Sequence, residues 1–522
     1  MKKITSCHSQ PLFNVAATRR IEQLASTTLP PHTLMQRAGL AVARLTMALA
    51  PHARCIWIAC GPGNNGGDGF EAALHLHQWG KSVVLTWTGP GAGKTPPPDA
   101  NAAREKALAA GVPMADQPPE DFDFCIDALL GIGATLEVGN NNREGSALIT
   151  QWLNRMRSSQ RPRLALDIPT GHDANTGRSG WETNSFAIES VANSNRPHWT
   201  QDIFTLSLLT LKPGLFTAQG RDCAGQVWFD DLGVDAQTFE QPQAWLLGAD
   251  GAAVTSRPNS RYGALHASHK GSFGDVAVLG GESTPASHMA GAALLAARAA
   301  LHAGAGRVFV ALLSEPGQTA LGVDMVQPEL IFRSPDALDF TKQVLVCGCG
   351  GGEAIKTVLP QVLSRANRLV LDADALNAIA ADSALQNLLT SRTQHHYLTV
   401  LTPHPLEAAR LLGLTTALVQ ADRLGIARQL AEKFDCTVVL KGSGSVIAAP
   451  GRTSRINASG NALLSTAGTG DVLAGMVGAA LAAGLSPFDA ACHAVFTHGN
   501  VADSWEQTHE GQSLTASRLA AS

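Results

Sequence analysis

Four residues near the end of the chain, Gly468-Thr469-Gly470-Asp471, are of the types and spacing that could move a phosphoryl group. They lie between a run of small residues, Asn461 to Ala467, and the apolar Val472-Leu473. That is the pattern of a loop opening a helix. Glycines let a phosphate approach the main chain, and the unpaired N–H groups of a first helical turn face it with partial positive charge. A carboxylate at Asp471 could take the proton from an attacking hydroxyl. The plainer reading of these four residues is a turn with Asp471 as a helix cap. The rest of the chain decides between the two.

Upstream, several polar groups stand where apolar runs end. Cys347-Gly-Cys-Gly-Gly-Gly352 would let a ligand lie against backbone. Asp372-Ala-Asp374-Ala-Leu-Asn377 ends a second run, and Thr402-Pro-His404-Pro405 a third. Lys441-Gly442-Ser443-Gly444-Ser445 joins a cation to flexible N–H donors, which suits a nucleotide phosphate. Singly, Lys441 reads as a surface charge, His404 as a loop residue and Asp372 as a cap. Their common place after predicted strands argues for one site, because open α/β sheets bind ligands at the carboxyl ends of strands.

A second constellation lies in the first half. Gly61-Pro-Gly63-Asn64-Asn65-Gly66-Gly67-Asp68-Gly69-Phe70 follows an apolar run and matches Gly-x-Gly-x-x-Gly. The acid expected about 20 residues on in an ordinary dinucleotide site is missing, since Leu85-Thr86-Trp87 offers none. Ile126-Asp127-Ala128-Leu129-Leu130-Gly131 and Leu166-Asp167-Ile168-Pro169-Thr170-Gly171 end two further runs. Asn, Asp and Thr oxygens at one rim suit a hard cation, or a carboxylate working as acid or base. Three capped turns with local bonds are the plain alternative. Gly89-Pro-Gly-Ala-Gly-Lys-Thr95 imitates a P-loop, but the first glycine is missing and Pro96-Pro97-Pro98 is expected to bar the following helix.

These groups need two sets of alternating strands and helices. In the first half, strands are expected at Cys55–Cys60, Ser82–Trp87, Phe124–Ala128 and Arg163–Asp167, with helices at Thr33–Leu49 and Glu71–Trp79. In the second, strands are expected at Asp275–Leu279, Arg307–Leu312, Gln343–Cys347, Leu369–Leu371, Tyr397–Leu401, Thr437–Leu440 and Ser445–Ala448, with a small-residue helix at Ala290–His302. Such alternation predicts parallel sheets covered on both faces. Residues 178–201 read as a loop or insertion, and the Pro- and Gly-containing stretch from about 233 to 262 as a domain boundary.

Composition limits the function classes. A chain of 522 residues with 45% hydrophobic and 16% charged residues suits more than one buried core and little disorder. Net charge is −4 without a basic stripe, so no nucleic acid is expected. Nine scattered cysteines fit a reducing cytoplasm, and Cys347-Gly-Cys349 is too tight for a usual zinc pair. No signal-like or membrane-spanning apolar stretch is read.

The first constellation, with Leu34-Met-Gln-Arg-Ala-Gly39 before it and Lys212-Pro-Gly-Leu215 after it, resembles the NAD(P)H-hydrate epimerase family. The second, from His269-Lys-Gly271 through Gly280-Gly281 and Met289-Ala-Gly-Ala292 to Gly468–Gly475, resembles the ribokinase-like superfamily, most closely its ADP-dependent NAD(P)H-hydrate dehydratases. The resemblance implies an α/β chain of two domains. A Rossmann-like three-layer sandwich would span 1–238, and a ribokinase-like α/β domain 239–522. It implies repair of hydrated NADH and NADPH, first by epimerising R and S forms, then by dehydrating the S form with ADP. By position, Asn64, Asn65, Gly66, Gly67, Asp68, Gly131, Ile132, Gly133, Ala134, Thr135, Leu136, Glu137 and Asp167 would bind the hydrate in the first domain. Asp167 would also be catalytic there, and Asn65, Asp127 and Thr170 would hold potassium. In the second domain Asp471 would activate the substrate hydroxyl. Ala292, Gly350, His404 and Asp471 would contact the hydrate, and Lys441, Gly442, Ser443, Gly444, Ser445 and Gly470 the nucleotide, with magnesium. A cytoplasmic homo-oligomer is expected. Thr170 stands where the family has Ser, and Thr135 lies where a basic residue is common. Cys349, Gly351, Leu406 and Ala467 depart from the family pattern without removing a charge. A small-molecule kinase of the hydroxyethylthiazole or pyridoxal type, fused to a non-catalytic binding module, is the alternative.

Overall fold

The strand β1 (Cys55–Cys60) shows how the first half is built. Ile56, Ile58 and Cys60 enter one apolar cluster, while the alternate residues Trp57 and Ala59 enter another on the opposite face. Successive strand side chains point to opposite faces, so a continuous apolar run makes a strand buried on both. On one face pack α1 (Val15–Ser26), α2 (Thr33–Leu49) and α3 (Asn64–Gln78), whose Ala17, Ile21, Met35, Val42, Phe70 and Leu74 share the first cluster. On the other packs α4 (Ser146–Ser158), which sends Ile149, Trp152, Leu153 and Met156 into the second cluster at helical spacing.

The computed structural model describes residues 1–90, 95–133, 146–180, 202–252, 266–314 and 322–522. The chain divides into two units: Met1–Ile4 with Pro11–Ala244, and Thr5–Gln10 with Trp245–Ser522. Each is α/β, as expected. In the first unit, β2 (Ser82–Trp87), β3 (Phe124–Ala128), β4 (Arg163–Leu166), β5 (Ile203–Leu208) and β6 (Gln226–Asp230) join β1 in the order β6-β5-β4-β3-β1-β2. All these pairings are parallel. Because β2 and β3 lie on opposite sides of β1, the crevice beyond the carboxyl end of β1 is a topological switch point.

The second unit repeats the device with different residues. Its strands are β7 (Asp275–Ser283), β8 (Arg307–Ser314), β9 (Val344–Cys347), β10 (Arg368–Leu371), β11 (Leu398–Leu401) and β12 (Thr437–Leu440). They are parallel in the order β8-β7-β9-β10-β11-β12, so the switch point lies between β7 and β9. The antiparallel β13 (Val446–Ala448) and β14 (Ser454–Asn457) follow β12. One face is covered by α5 (Ala290–His302) and α7 (Thr469–Ala482), rich in Ala and Gly, which let the helices lie close. The helix α6 (Pro405–Leu412) follows β11, and α8 (Pro487–Thr508) packs beside α7. Among the described residues, no helix is long and apolar enough to cross a membrane.

Two expectations change. The segment Asn64–Phe70, read as a loop, is the first two turns of α3, which begins seven residues before the expected Glu71. Its glycines weaken helix propensity, but close packing against neighbouring backbone overrides that cost. The prolines at 96–98 do not bar a helix either: Pro98–Ala109 is helical, with Pro98 at the first position, where a missing N–H is harmless. Residues 91–94 of the false P-loop, 181–201 of the polar segment and 253–265 of the expected boundary lie outside the described residues.

Candidate active sites

In the first unit a cleft of about 450 Å³ opens at the switch point, lined by Asn64, Asn65, Asp68, Gly131, Ile132, Gly133 and Asp167. Gly66 and Gly67 turn away from it: a Cβ on Gly66 would meet the Gly61 carbonyl oxygen at 2.1 Å, and one on Gly67 the Met35 side chain at 2.5 Å. Ala134, Thr135, Leu136 and Glu137 lie outside the described residues. Asp127 and Thr170 are buried. Thr170 donates its hydroxyl to Oδ1 of Asp127 at 2.7 Å and its main-chain N–H to Oδ2 at 3.0 Å, tying β3 to the turn after β4. The Thr170 Oγ1 also accepts from Leu130 N at 3.0 Å, so the hydroxyl that replaces Ser is fully used. Asn65 is buried, and its amide nitrogen has no hydrogen-bond partner. A buried unsatisfied amide at the edge of a cleft points to a missing ligand.

Asp167 adopts a left-handed backbone, φ 63°, at the end of β4. Such a conformation in a non-glycine residue is held only by surrounding structure, and it marks functional turns. The holder is Lys212, fully buried, whose ammonium pairs with Asp167 Oδ1 and donates to the Leu208 carbonyl at 2.8 Å. Leu208 N donates to the same Asp167 oxygen at 3.1 Å. Burial, then the charges of Asp167, Glu22 and Glu71, push Asp68 well above the carboxylate range, with Lys212 opposing. Glu22 also lines the cleft and is raised, chiefly by burial. Sequence reading gave no role to Lys212, Glu22 or Arg19, although all border this chemistry. The available hint was a lysine directly after the run Leu208-Leu209-Thr210-Leu211, since a lysine buried there needs a carboxylate partner.

The second site is built from five loops. Lys441, following β12, donates to Asp372 Oδ1 at 2.6 Å and lies 4.0 Å from Glu407 Oε2. Thr402, following β11, donates its hydroxyl to the same Asp372 oxygen at 2.7 Å. Burial opposes the Lys441 charge, but Asp372 and Glu407 outweigh it and hold the ammonium above its ordinary range. Gly470 sits over this pair, where a Cβ would come within 3.3 Å of Lys441 Nζ. The helix start therefore brings Gly470 and Lys441 to one point. Sγ of Cys349 and the carboxylate oxygens of Asp372 and Asp471 lie within 4.8 Å of one another. Burial, then the charge of Asp372, raise Asp471 to about 7, while a hydrogen bond from the Cys349 thiol and the charge of Lys441 pull it down.

Gly350 adopts φ 60°, and a Cβ there would meet Ala292 Cβ at 2.9 Å, so these two predicted contacts share one wall. His404 caps α6 and pairs with Glu407. Burial raises Glu407 to about 7, with Lys441 opposing and Asp372 adding. Gly442 and Ser443 are exposed, Gly444 is buried, and Ser445 donates its hydroxyl to the Gly442 carbonyl at 3.1 Å. The buried Arg423 pins this loop by donating to the carbonyls of Leu440 and Lys441, each at 3.2 Å. His498 on α8 donates Nε2–H to the Thr469 carbonyl at 2.9 Å and steadies the helix start. Glu407, Arg423 and His498 carried no usable motif in the sequence.

Two family models match the chain: NAD(P)H-hydrate dehydratase over residues 276–522, and YjeF-related protein N-terminus over residues 31–213. The bifunctional NAD(P)H-hydrate repair enzyme Nnr of Escherichia coli K12 is 35% identical over 490 residues, covering 90% of this chain and 85% of that one. The ADP-dependent (S)-NAD(P)H-hydrate dehydratase of Neisseria meningitidis is 42% identical over 242 residues, covering 45% of this chain and 78% of its own. Among solved structures, an ADP/ATP-dependent NAD(P)H-hydrate dehydratase of Bacillus subtilis, co-crystallised with ATP/Mg2+, is 30% identical. It covers 49% of this chain and 90% of its own, with a TM-score of 0.41.

Proposed function

The chain belongs to the bifunctional NAD(P)H-hydrate repair enzymes, and from that premise we propose how its two sites divide the work. The enzyme epimerises hydrated NADH and NADPH and dehydrates the S form with ADP. The observation that carries the residue assignment is a carboxylate, Asp471, poised near pH 7 at a helix start beside the buried Lys441–Asp372 pair.

In the dehydratase site the β-phosphoryl group of ADP lies against the N–H groups of Gly468, Thr469 and Gly470, with Lys441 balancing its charge. Asp471 takes the proton from the hydroxyl of the hydrate as that oxygen bonds to phosphorus and AMP leaves. The phosphorylated oxygen then departs as phosphate with loss of a ring C–H proton, restoring the dihydronicotinamide. Ala292, Gly350 and His404 border the hydrate, and Gly442 to Ser445 the nucleotide. Asp372 Oδ2 and Asp471 are the oxygen donors that fit magnesium, which when bound would neutralise phosphate charge. Asp471 carries the largest burden, because positioning and electrostatics supply most of phosphoryl-transfer catalysis.

In the epimerase site Asp167, fixed by Lys212, exchanges the proton, and neutral Asp68 donates toward the hydroxyl. Asn64, Ile132 and Gly133 border the hydrate. The side-chain oxygens of Asn65, Asp127 and Thr170 are the donors that would hold potassium, which when bound would add fixed positive charge at the cleft, while the unsatisfied Asn65 amide nitrogen is a donor left for an acceptor on the hydrate. Repair of a soluble cofactor pool suits a cytoplasmic enzyme, and a homo-oligomer is tested by light scattering.

Incubating the protein with mixed R and S hydrates tests the reading. With ADP, both forms are expected to return to reduced cofactor; without ADP, R and S are expected to equilibrate. Failure of reduced-nicotinamide absorbance to return with ADP contradicts the dehydratase assignment. A fixed R-to-S ratio contradicts the epimerase assignment.

A further inference from the structure

Resting on the epimerase reading of the first unit, we infer that Arg19 is the cation that holds the diphosphate of the hydrated cofactor. Thr18, Arg19, Glu22 and Ser26 lay α1 along one side of the cleft at helical spacing. Among the described residues that line it, Arg19 is the one cation, against the carboxyl groups of Glu22, Asp68, Asp99 and Asp167. Lys212 is fully buried and already paired with Asp167. The neighbouring Arg20 is also engaged, with Glu240. Arg19 differs from both. Among the described residues its guanidinium makes no hydrogen bond and no ion pair, and the side chain stands exposed at the cleft. The diphosphate of the hydrate is anionic, and a cleft walled by acids repels it unless a cation offsets the field.

The position of the guanidinium fits that task. A Cβ on Gly133 would come within 3.0 Å of Arg19 Nη2, so the arginine lies against the turn after β3. At the other end of that turn, a Cβ on Gly131 would lie 3.4 Å from Asn65 Cβ, in the first turn of α3. Two residues of chain span at most about 7 Å, so Arg19 and the start of α3 flank one short stretch of cleft. The helix α3 has no side-chain cap at Gly63, which leaves its first N–H groups without a side-chain partner there. The Asn65 amide nitrogen, buried and unpartnered, is a further donor at this end. A diphosphate laid between the helix start and Arg19 meets donors on both sides, and the planar guanidinium can take two of its oxygens at once. Both hydrates carry the diphosphate, so this contact adds affinity for each and does not choose between them. Arg19 is a binding residue and touches no reacting atom.

Two variants of the full chain test the contact. Arg19→Gln removes the charge from an exposed helix position and keeps a long polar side chain. Arg19→Lys keeps the charge and loses the two-pronged fork. Epimerisation of R-form hydrates of NADH and NADPH, without ADP, is followed by chromatography. Arg19→Gln is expected to raise KM about tenfold for both hydrates, the scale of one charge-assisted hydrogen bond, with kcat within about twofold of the parent and Tm unchanged. Arg19→Lys should fall between the two. Inorganic pyrophosphate should compete with the hydrate in the parent and compete about tenfold less well in Arg19→Gln. An unchanged KM in Arg19→Gln overturns the inference. So does a loss confined to the NADPH hydrate, which would give the cation to the 2′-phosphate. A parent that fails to epimerise contradicts the reading of the site and leaves the inference to a second measurement. Calorimetric titration of the full chain with inorganic pyrophosphate should show one binding site fewer in Arg19→Gln than in the parent, and an equal number overturns the inference.

Discussion

Both sites bury a lysine–aspartate pair beside another carboxylate, and they use the arrangement in opposite ways. In the first unit Lys212 grips Asp167, the proposed proton-exchanging residue, while burial pushes the neighbouring Asp68 well above the carboxylate range. In the second Lys441 grips Asp372, while the proposed base, Asp471, stands at a helix start with its pKa raised to about 7. A carboxyl held neutral donates a hydrogen bond; one poised near neutrality accepts a proton. The difference teaches that the motif supplies the carboxylates, but the lysine's position and the depth of burial assign their tasks.

Removing the two lysines is the strongest way to break this comparison. Lys441→Met strips the proposed phosphoryl cradle of its cation and leaves the buried Asp372 without a charged partner. Dehydration is expected to fall about a thousandfold, with a loss of about 3 kcal/mol in stability read by denaturant titration. Lys212→Met should do the reverse. Epimerisation, followed by chromatography of the R and S forms, is expected to drop about a hundredfold, with dehydration of purified S form retained. If the Lys212 variant epimerises normally, the likeness between the sites is only geometric.

A pH profile sharpens the contrast. As the proposed base, Asp471 would act only when ionised, and its pKa is raised to about 7. The dehydration kcat/KM should therefore rise about tenfold per pH unit below about 7 and level off above it. The smallest effect concerns stability. A carboxyl whose folded pKa is raised stabilises the fold most at low pH, and that contribution disappears as pH climbs to about 7. The Tm of Asp471→Asn relative to the parent should thus increase between about pH 4 and 7 and then hold steady, with a gain of about 1 kcal/mol.

Much of the framework was legible in the residues. Buried parallel strands are apolar runs cut off by glycine or polar groups, so Cys55–Cys60, Ser82–Trp87, Phe124–Ala128 and Thr437–Leu440 were found to the residue. The start of α3 was hidden because Gly66, Gly67 and Gly69 look like loop. Only the nearness of Gly61, Met35 and Cys60 explains why small residues are needed within that helix. Lys212 and Glu407 were invisible for another reason. A buried charge declares its role through its partner, and Lys212 meets Asp167 across 45 positions of sequence. Glu407 lies three residues from His404, but nothing short of the cap geometry shows that its carboxylate takes the main-chain N–H of His404.

The central claim is that Asp471 is the base of the dehydratase, and single-turnover dehydration by Asp471→Asn, with enzyme and ADP in excess over the S-form hydrate, tests it most directly. The expected result is a loss of at least about a thousandfold in the chemical step, with ADP binding and R-to-S equilibration retained. Turnover within about tenfold of the parent, in a folded variant, would contradict the assignment.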